Sequence, residues 1–222
     1  MLPGSAALRH VGALVEGPGF LPHLTGRDNL LAYWAATGRD LTEAHLDEAI
    51  EVAALGGAIE RPVRSYSHGM KQRLGIAQAM LGLPDLLVLD EPTNGLDPPQ
   101  IAAMRQILKG YAAAGRTVVV SSHLLAEVEQ TCSHVVVMHA GRVLRTGRVA
   151  DLVDSRHHLE EVFLGVIAAA RDDSAHGDSA HGDSAHGDSA HGDSAHGPGH
   201  PAEGAAGEVD AMTERLRQVR AR

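Results

Sequence analysis

Two adjacent carboxylates follow a short, strongly apolar segment near the middle of the chain. Four branched residues, Leu86-Leu87-Val88-Leu89, come first, and Asp90 and Glu91 follow directly. The run predicts a parallel strand that is buried on both faces and ends where open α/β sheets bind ligands. Mg²⁺ carried by a nucleotide would compensate the charge of Asp90, and Glu91, on the opposite side, would polarise a water molecule. The alternative is a strand that ends in a solvated acidic turn.

Two flanking segments favour the chemical interpretation. Upstream, Ser67 begins a predicted helix, and the free amides and dipole of a helix N-terminus favour an anion. Downstream, a second apolar run, Thr117–Ser121, is followed by His123, which lies 33 positions after Asp90 (123 − 90). With these three segments the chain resembles the ATP-binding subunits of ABC transporters, in particular the branch associated with antibiotic and drug export. The resemblance extends from about Val11 to about Leu164.

The resemblance implies a role for each matching residue. Asp90 matches the Walker B aspartate that holds Mg²⁺, Glu91 the catalytic glutamate, and His123 the switch histidine that contacts the γ-phosphate of ATP. Glu16 stands at the position of the Q-loop glutamine, which senses Mg²⁺ and faces the transmembrane partner. The residues that match the signature loop and the D-loop are Ser67, His68, Gly69 and Met70, and Asn94, Gly95, Leu96 and Asp97. His68 replaces the usual glycine and Met70 the usual glutamine.

Several of these residues also have purely structural interpretations. Asp97 can cap the next helix, with proline in its first turn and Gln100 three positions after the cap, and this role can coexist with a D-loop role. A serine at the start of a helix is usually just a cap, and a histidine after a strand is usually a satisfied polar residue. Glu16 can be a solvated strand end.

A phosphate-cradling motif is the one family feature that these 222 residues do not contain. No G-x-x-x-x-G-K-S/T occurs, and the only lysines are Lys71 and Lys109. The resemblance places this loop before Val11, where the sequence has ten residues. We therefore expect an α/β fold that is a truncated P-loop NTPase (ABC-type) nucleotide-binding domain, with weak or absent ATP hydrolysis by this chain alone.

The predicted organisation is a partial ATP-binding domain at 1–166, with a helical subdomain at about 22–83, followed by a tail. Within the domain we expect a strand at Val11–Val15, helices that start at Thr25 and Thr42, and a hairpin near the end. Residues 167–208 form a predicted disordered linker whose Asp-Ser-Ala-His-Gly unit repeats five times at 173–197. Residues 209–222 could form a short basic helix.

Composition and the resemblance together bound the function. The net charge of −9 argues against a nucleic-acid partner, and the single cysteine fits a reducing cytosol. The resemblance implies ATP and Mg²⁺ as cofactors, a second ATP-binding subunit in a head-to-tail dimer, and a transmembrane permease. It implies a cytoplasmic protein that is peripheral on the inner face of the cell membrane, with membrane contact only through the permease. The alternatives are a truncated non-catalytic remnant, or a metal-binding protein that uses the repeat histidines on a decayed scaffold.

Overall fold

The structure is a computed structural model that describes residues 6–15, 17, 19–154 and 157–177. The chain divides into two compact units, with the division between His123 and Leu124. In chain order the elements are β1 (Val11–Leu14), α1 (Gly26–Ala36), α2 (Leu46–Ala53), α3 (His68–Met80), β2 (Leu86–Leu89), α4 (Pro98–Ala113), β3 (Thr117–Val120), α5 (Leu125–Thr131), β4 (His134–His139), β5 (Arg142–Arg148), α6 (Val149–Leu152) and α7 (Leu159–Gly177).

The first unit contains a parallel sheet in the order β1-β2-β3. Leu87 and Leu89 point into the core and are fully buried, and α3 packs so closely on β1 that a side chain at Gly12 would overlap the carbonyl of Ala79. The opposite face is more open, because Ala13 is exposed and Val119 is 50% exposed. The prediction that β2 is buried on both faces is therefore wrong for the described part of the chain: Leu86 and Val88, on its second face, are only partly buried.

Local caps fix the helical layer. Thr25 caps α1 and accepts a hydrogen bond from the Asp28 amide at 3.0 Å, as the sequence predicts. The start of the second helix at Thr42 is wrong. Asp40 accepts from the Thr42 amide at 2.9 Å and caps a separate 3₁₀ turn, and α2 begins only at Leu46. A polar side chain that bonds to a nearby amide competes with helix propagation, which accounts for the later start.

Two further helices are placed as predicted in the first unit. Ser67 caps α3 and accepts from the Met70 amide at 3.3 Å, and Asp97 caps α4 and accepts from the Gln100 amide at 2.9 Å. The core between sheet and helices is aliphatic, and its fully buried side chains include Leu30, Val52, Leu74, Ile76, Met80 and Met104. These contacts hold the N-termini of α3 and α4 next to the carboxyl end of β2.

The second unit contains the predicted hairpin, β4 and β5, together with α5, α6 and α7. Helix α7 continues to Gly177, and so extends through the segment 167–177 that the sequence predicts as linker. Ala168, Ala169 and Ala170 favour helix, which allows the helix to propagate this far. No helix within the described ranges is long and apolar enough to cross a bilayer. The later repeats, the predicted helix at 209–222 and Glu16 lie outside the described residues.

Candidate active site

Asp90 and Glu91 lie at the carboxyl end of the sheet. The Asp90 amide donates to Leu14 O at 2.8 Å, and the Ser121 amide donates to Leu89 O at 3.0 Å, so the ladder continues one residue beyond the strands. The hydroxyl of Ser121 donates to Oδ1 of Asp90 and accepts from the Glu91 amide at 3.0 Å. One serine therefore fixes both the carboxylate of Asp90 and the backbone of Glu91.

The backbone of Glu91 adopts a left-handed conformation, with φ of 45°. Residues other than glycine are disfavoured in this conformation, so the surrounding hydrogen bonds must hold it. Four hydrogen bonds do so: the Glu91 amide donates to the Ser121 hydroxyl at 3.0 Å, Gln72 Nε2 and the Asn94 amide donate to Glu91 O at 3.1 Å and 3.0 Å, and the carboxylate Oε2 pairs with His123 Nδ1 at 2.9 Å. Gln72 is almost fully buried, with 7% of its surface exposed.

The Glu91 and His123 pair is accessible to a ligand. About a third of the Glu91 side chain (32%) and two thirds of the His123 side chain (67%) are exposed. A carboxylate held next to an imidazole can accept a proton from a water molecule and orient that molecule. Asp90, which is also exposed, provides a carboxylate beside this pair. The arrangement suits the activation of water close to an anionic group.

The signature and D-loop residues lie against each other within the chain. Gly69 is buried, and a side chain there would come 3.1 Å from Gly95 O and 3.3 Å from Leu96 Cδ2. Gly95 has a φ of 74°, and a side chain at this position would overlap the imidazole of His68. Ser67 and His68 are exposed at the start of α3, whereas Met70 and Leu96 pack against the core.

Positive charge lies on the same helix. Lys71 is exposed, and Arg73 is half-buried with its Nη1 donating to Ala54 O at 2.7 Å. Burial lowers the pKa of the Arg73 guanidinium below its usual range, and Asp97 opposes this shift. Helix α3 therefore carries two cationic side chains, Lys71 and Arg73, in its first two turns.

The oxygen donors at the strand end fit a metal that arrives with a nucleotide. Among the described residues, no group of three histidine, cysteine or acidic side chains could hold a metal ion by itself. Mg²⁺ is commonly bound by one or two carboxylates together with substrate phosphates. The exposed carboxylate of Asp90 matches that donor set, with the Ser121 hydroxyl holding it in place.

The structure brings together most of the residues that the sequence singles out. Asp90, Glu91 and His123 form one group, and the signature and D-loop residues form a second group beside it. Glu16 cannot be placed, because it lies outside the described residues. The sequence patterns do not single out Ser121 or Gln72. Ser121 could have been found from its position directly after β3, opposite Asp90, but nothing in the local sequence marks Gln72.

Comparison with known proteins agrees with the geometry. The family model described as "ABC transporter" matches residues 4–94. The bacitracin transport ATP-binding protein BcrA of Bacillus licheniformis is 46% identical over 138 residues, which are 62% of this chain and 45% of that protein. The lantibiotic transport ATP-binding protein SrtF of Streptococcus pyogenes is 36% identical over 156 residues, or 70% of this chain and 66% of that protein.

A solved structure supports the same fold. The structure of an ATP-binding subunit of an ABC transporter is 29% identical in sequence, with a TM-score of 0.62, and the match covers 72% of this chain and 69% of that one. The chain spans slightly less than half the length of BcrA and of another relative, YdbJ of Bacillus subtilis. These likenesses and the strand-end cluster of Asp90, Glu91 and His123 lead to one conclusion: the chain belongs to the family of ABC transporter ATP-binding subunits.

Proposed function

We propose that this chain takes part in ATP hydrolysis that powers the export of a drug or an antibiotic. The observation that carries the proposal is the pairing of Glu91 with His123 at 2.9 Å, beside Asp90, at the carboxyl end of β2. The names of BcrA and SrtF, which describe bacitracin transport and lantibiotic transport, support the class of substrate. Specificity for one compound would lie in the permease.

Each residue of the cluster has a distinct role in this proposal. Glu91 accepts a proton from the attacking water and orients it, and His123 holds the Glu91 carboxylate and contacts the γ-phosphate. Asp90 holds Mg²⁺, with the Ser121 hydroxyl fixing the direction of its carboxylate. Mg²⁺, when it is bound with ATP, neutralises negative charge on the phosphate oxygens. Positioning and charge neutralisation of this kind supply most of the catalysis of phosphoryl transfer.

The exposed start of α3 supports a role in a second site. Ser67 and His68 are exposed there, on a helix N-terminus that favours anions. We propose that Ser67, His68 and Gly69 contact ATP held mainly by a second ATP-binding subunit, arranged head to tail, and that the D-loop at 94–97 lies at that interface. Each site would also need a phosphate-cradling loop, a motif that these 222 residues do not contain.

The proposed location follows from the partner. A transmembrane permease would dock at the helical layer of α1 and α2. The chain would then be cytoplasmic, on the inner face of the cell membrane, and would contact the membrane only through the permease. Neither nucleic acid nor any direct lipid contact is required.

The test is ATP hydrolysis by the protein as it occurs in its own cells, recovered together with the subunits that bind it. We expect hydrolysis that depends on Mg²⁺ and falls by at least about a hundredfold with Glu91→Gln, because the variant loses the proton acceptor. Glu161→Gln, on the exposed surface of α7, is the matched control and should leave the rate unchanged. Turnover that survives Glu91→Gln, or a wild-type complex with no turnover, would contradict the proposal.

A further inference from the structure

Two neighbouring residues of α3 form the same unusual contact. Gln72 donates to the carbonyl of Glu91 at 3.1 Å, and Arg73 donates to the carbonyl of Ala54 at 2.7 Å. Both acceptor residues have positive φ, 45° for Glu91 and 47° for Ala54, which ends α2. Helix α3 thus holds two left-handed backbone positions at once, one in the helical layer and one at the candidate active site.

The bond from Gln72 comes from a different segment than the other hydrogen bonds of Glu91, one of which is the bond from the Asn94 amide to Glu91 O at 3.0 Å within the following turn. Ser121 and His123, which fix the Glu91 amide and carboxylate, both come from the end of β3. Gln72 comes from α3, one turn beyond Gly69, which itself lies against Gly95 and Leu96. A regular helix transmits small displacements along its axis, so a shift of its N-terminus moves Gln72 or breaks this bond.

We propose that Gln72 is a positioning residue for Glu91, through which α3 links its exposed signature end to the catalytic carboxylate of the same chain. The inference rests on the proposed function, since it assumes that Glu91 activates water. Without the amide of Gln72, the Glu91 carbonyl keeps only the bond from the Asn94 amide, so the disfavoured backbone conformation that directs the carboxylate is held less firmly. The alternative is that Gln72 is merely a buried polar residue with a satisfied hydrogen bond.

The first experiment needs no nucleotide. Gln72→Met keeps the length of the side chain and removes the donor, and Gln78→Met, later in the same helix, is the matched control. Amide hydrogen exchange of the purified chain should become about tenfold faster at residues 91–95 in Gln72→Met, as expected for one lost hydrogen bond, and should remain unchanged in the control. Equal rates at 91–95 in wild type and Gln72→Met would overturn the proposal. If Gln72→Met does not fold, Gln72→Asn replaces it in the experiment, because its side chain is one methylene shorter and the amide donor no longer reaches Glu91 O.

The second experiment measures catalysis in the complex recovered from cells. We expect Gln72→Met to lower kcat about tenfold with KM for ATP within about twofold, because the loss concerns the transition state rather than ATP binding. A kcat that falls only with the folded fraction, or a matched rise in KM, would overturn the proposal in favour of a structural role. Failure of the proposed function can be distinguished from failure of this proposal. In the first case the wild-type complex would not hydrolyse ATP, and hydrogen exchange would still show whether Gln72 holds Glu91.

Discussion

The two faces of the three-stranded sheet differ sharply in what they support. The core face carries Leu87 and Leu89, both essentially fully buried, and packs against helices that reach the site. The other face shows Ala13 and Val119 to solvent in the described part of the chain, although parallel sheets are ordinarily covered on both faces. Gln72 and the D-loop both belong to segments that pack on the core side. The core face therefore provides the stability of the candidate active site and those of its supports that come from α3 and the D-loop.

The largest expected difference between the two faces is the difference in stability between Leu87→Ala, on the core face, and Val119→Ala, on the open face. We expect Leu87→Ala to lower the free energy of unfolding by about 3 kcal/mol, since it removes a fully buried side chain and leaves a cavity. Val119 is half exposed, so Val119→Ala should cost no more than about 1 kcal/mol. Urea unfolding followed by circular dichroism measures both values. Equal losses would mean that the open face is covered in solution.

Substitutions of Asp97 test whether the D-loop end of α4 is stabilised by the helix cap or by the charge of the side chain. Asp97→Ala should lower the free energy of unfolding by about 1 kcal/mol, because the Gln100 amide loses its capping partner. Asp97→Asn should retain most of that stability, since asparagine caps as well as aspartate, while it removes the charge from the D-loop. Thermal unfolding of the two variants and of the control Asp47→Asn, on exposed α2 surface, measures the difference. Equal destabilisation by alanine and asparagine would show that the charge, and not the cap, is what stabilises.

Local patterns were sufficient to predict the parts of the fold that depend on neighbouring residues. The strand Leu86–Leu89 and the caps Thr25, Ser67 and Asp97 appear where the sequence predicts them. The meeting of Asp90, Glu91 and His123 followed from the rule that parallel strands end at one edge, and from the family resemblance. Their catalytic roles stay predictions.

The remaining features depend on contacts between distant residues. The left-handed backbone of Glu91 is held by a local bond from the Asn94 amide and by Gln72 and Ser121, which lie 19 and 30 positions away in sequence, and no local pattern reports those two distant bonds. The open second face of the sheet was missed for a related reason: an apolar run shows that a strand suits burial, but not which segments cover it. The late start of α2 reflects competition from the Asp40 side chain, which the helical periodicity does not reveal.

Replacing Glu91 by glycine tests the strain in the backbone at the point where the sheet ends and the candidate active site begins. Because φ is 45° there, Glu91→Gly should be more stable than Glu91→Ala by up to about 1 kcal/mol, although both variants lose the carboxylate. At Glu51, inside α2, the order should reverse, with glycine less stable than alanine by a similar amount. Urea unfolding of the four variants gives both differences. If the alanine variant were the more stable at both positions, the fold would not require a left-handed backbone at residue 91. The direction of the Glu91 carboxylate would then not depend on backbone strain.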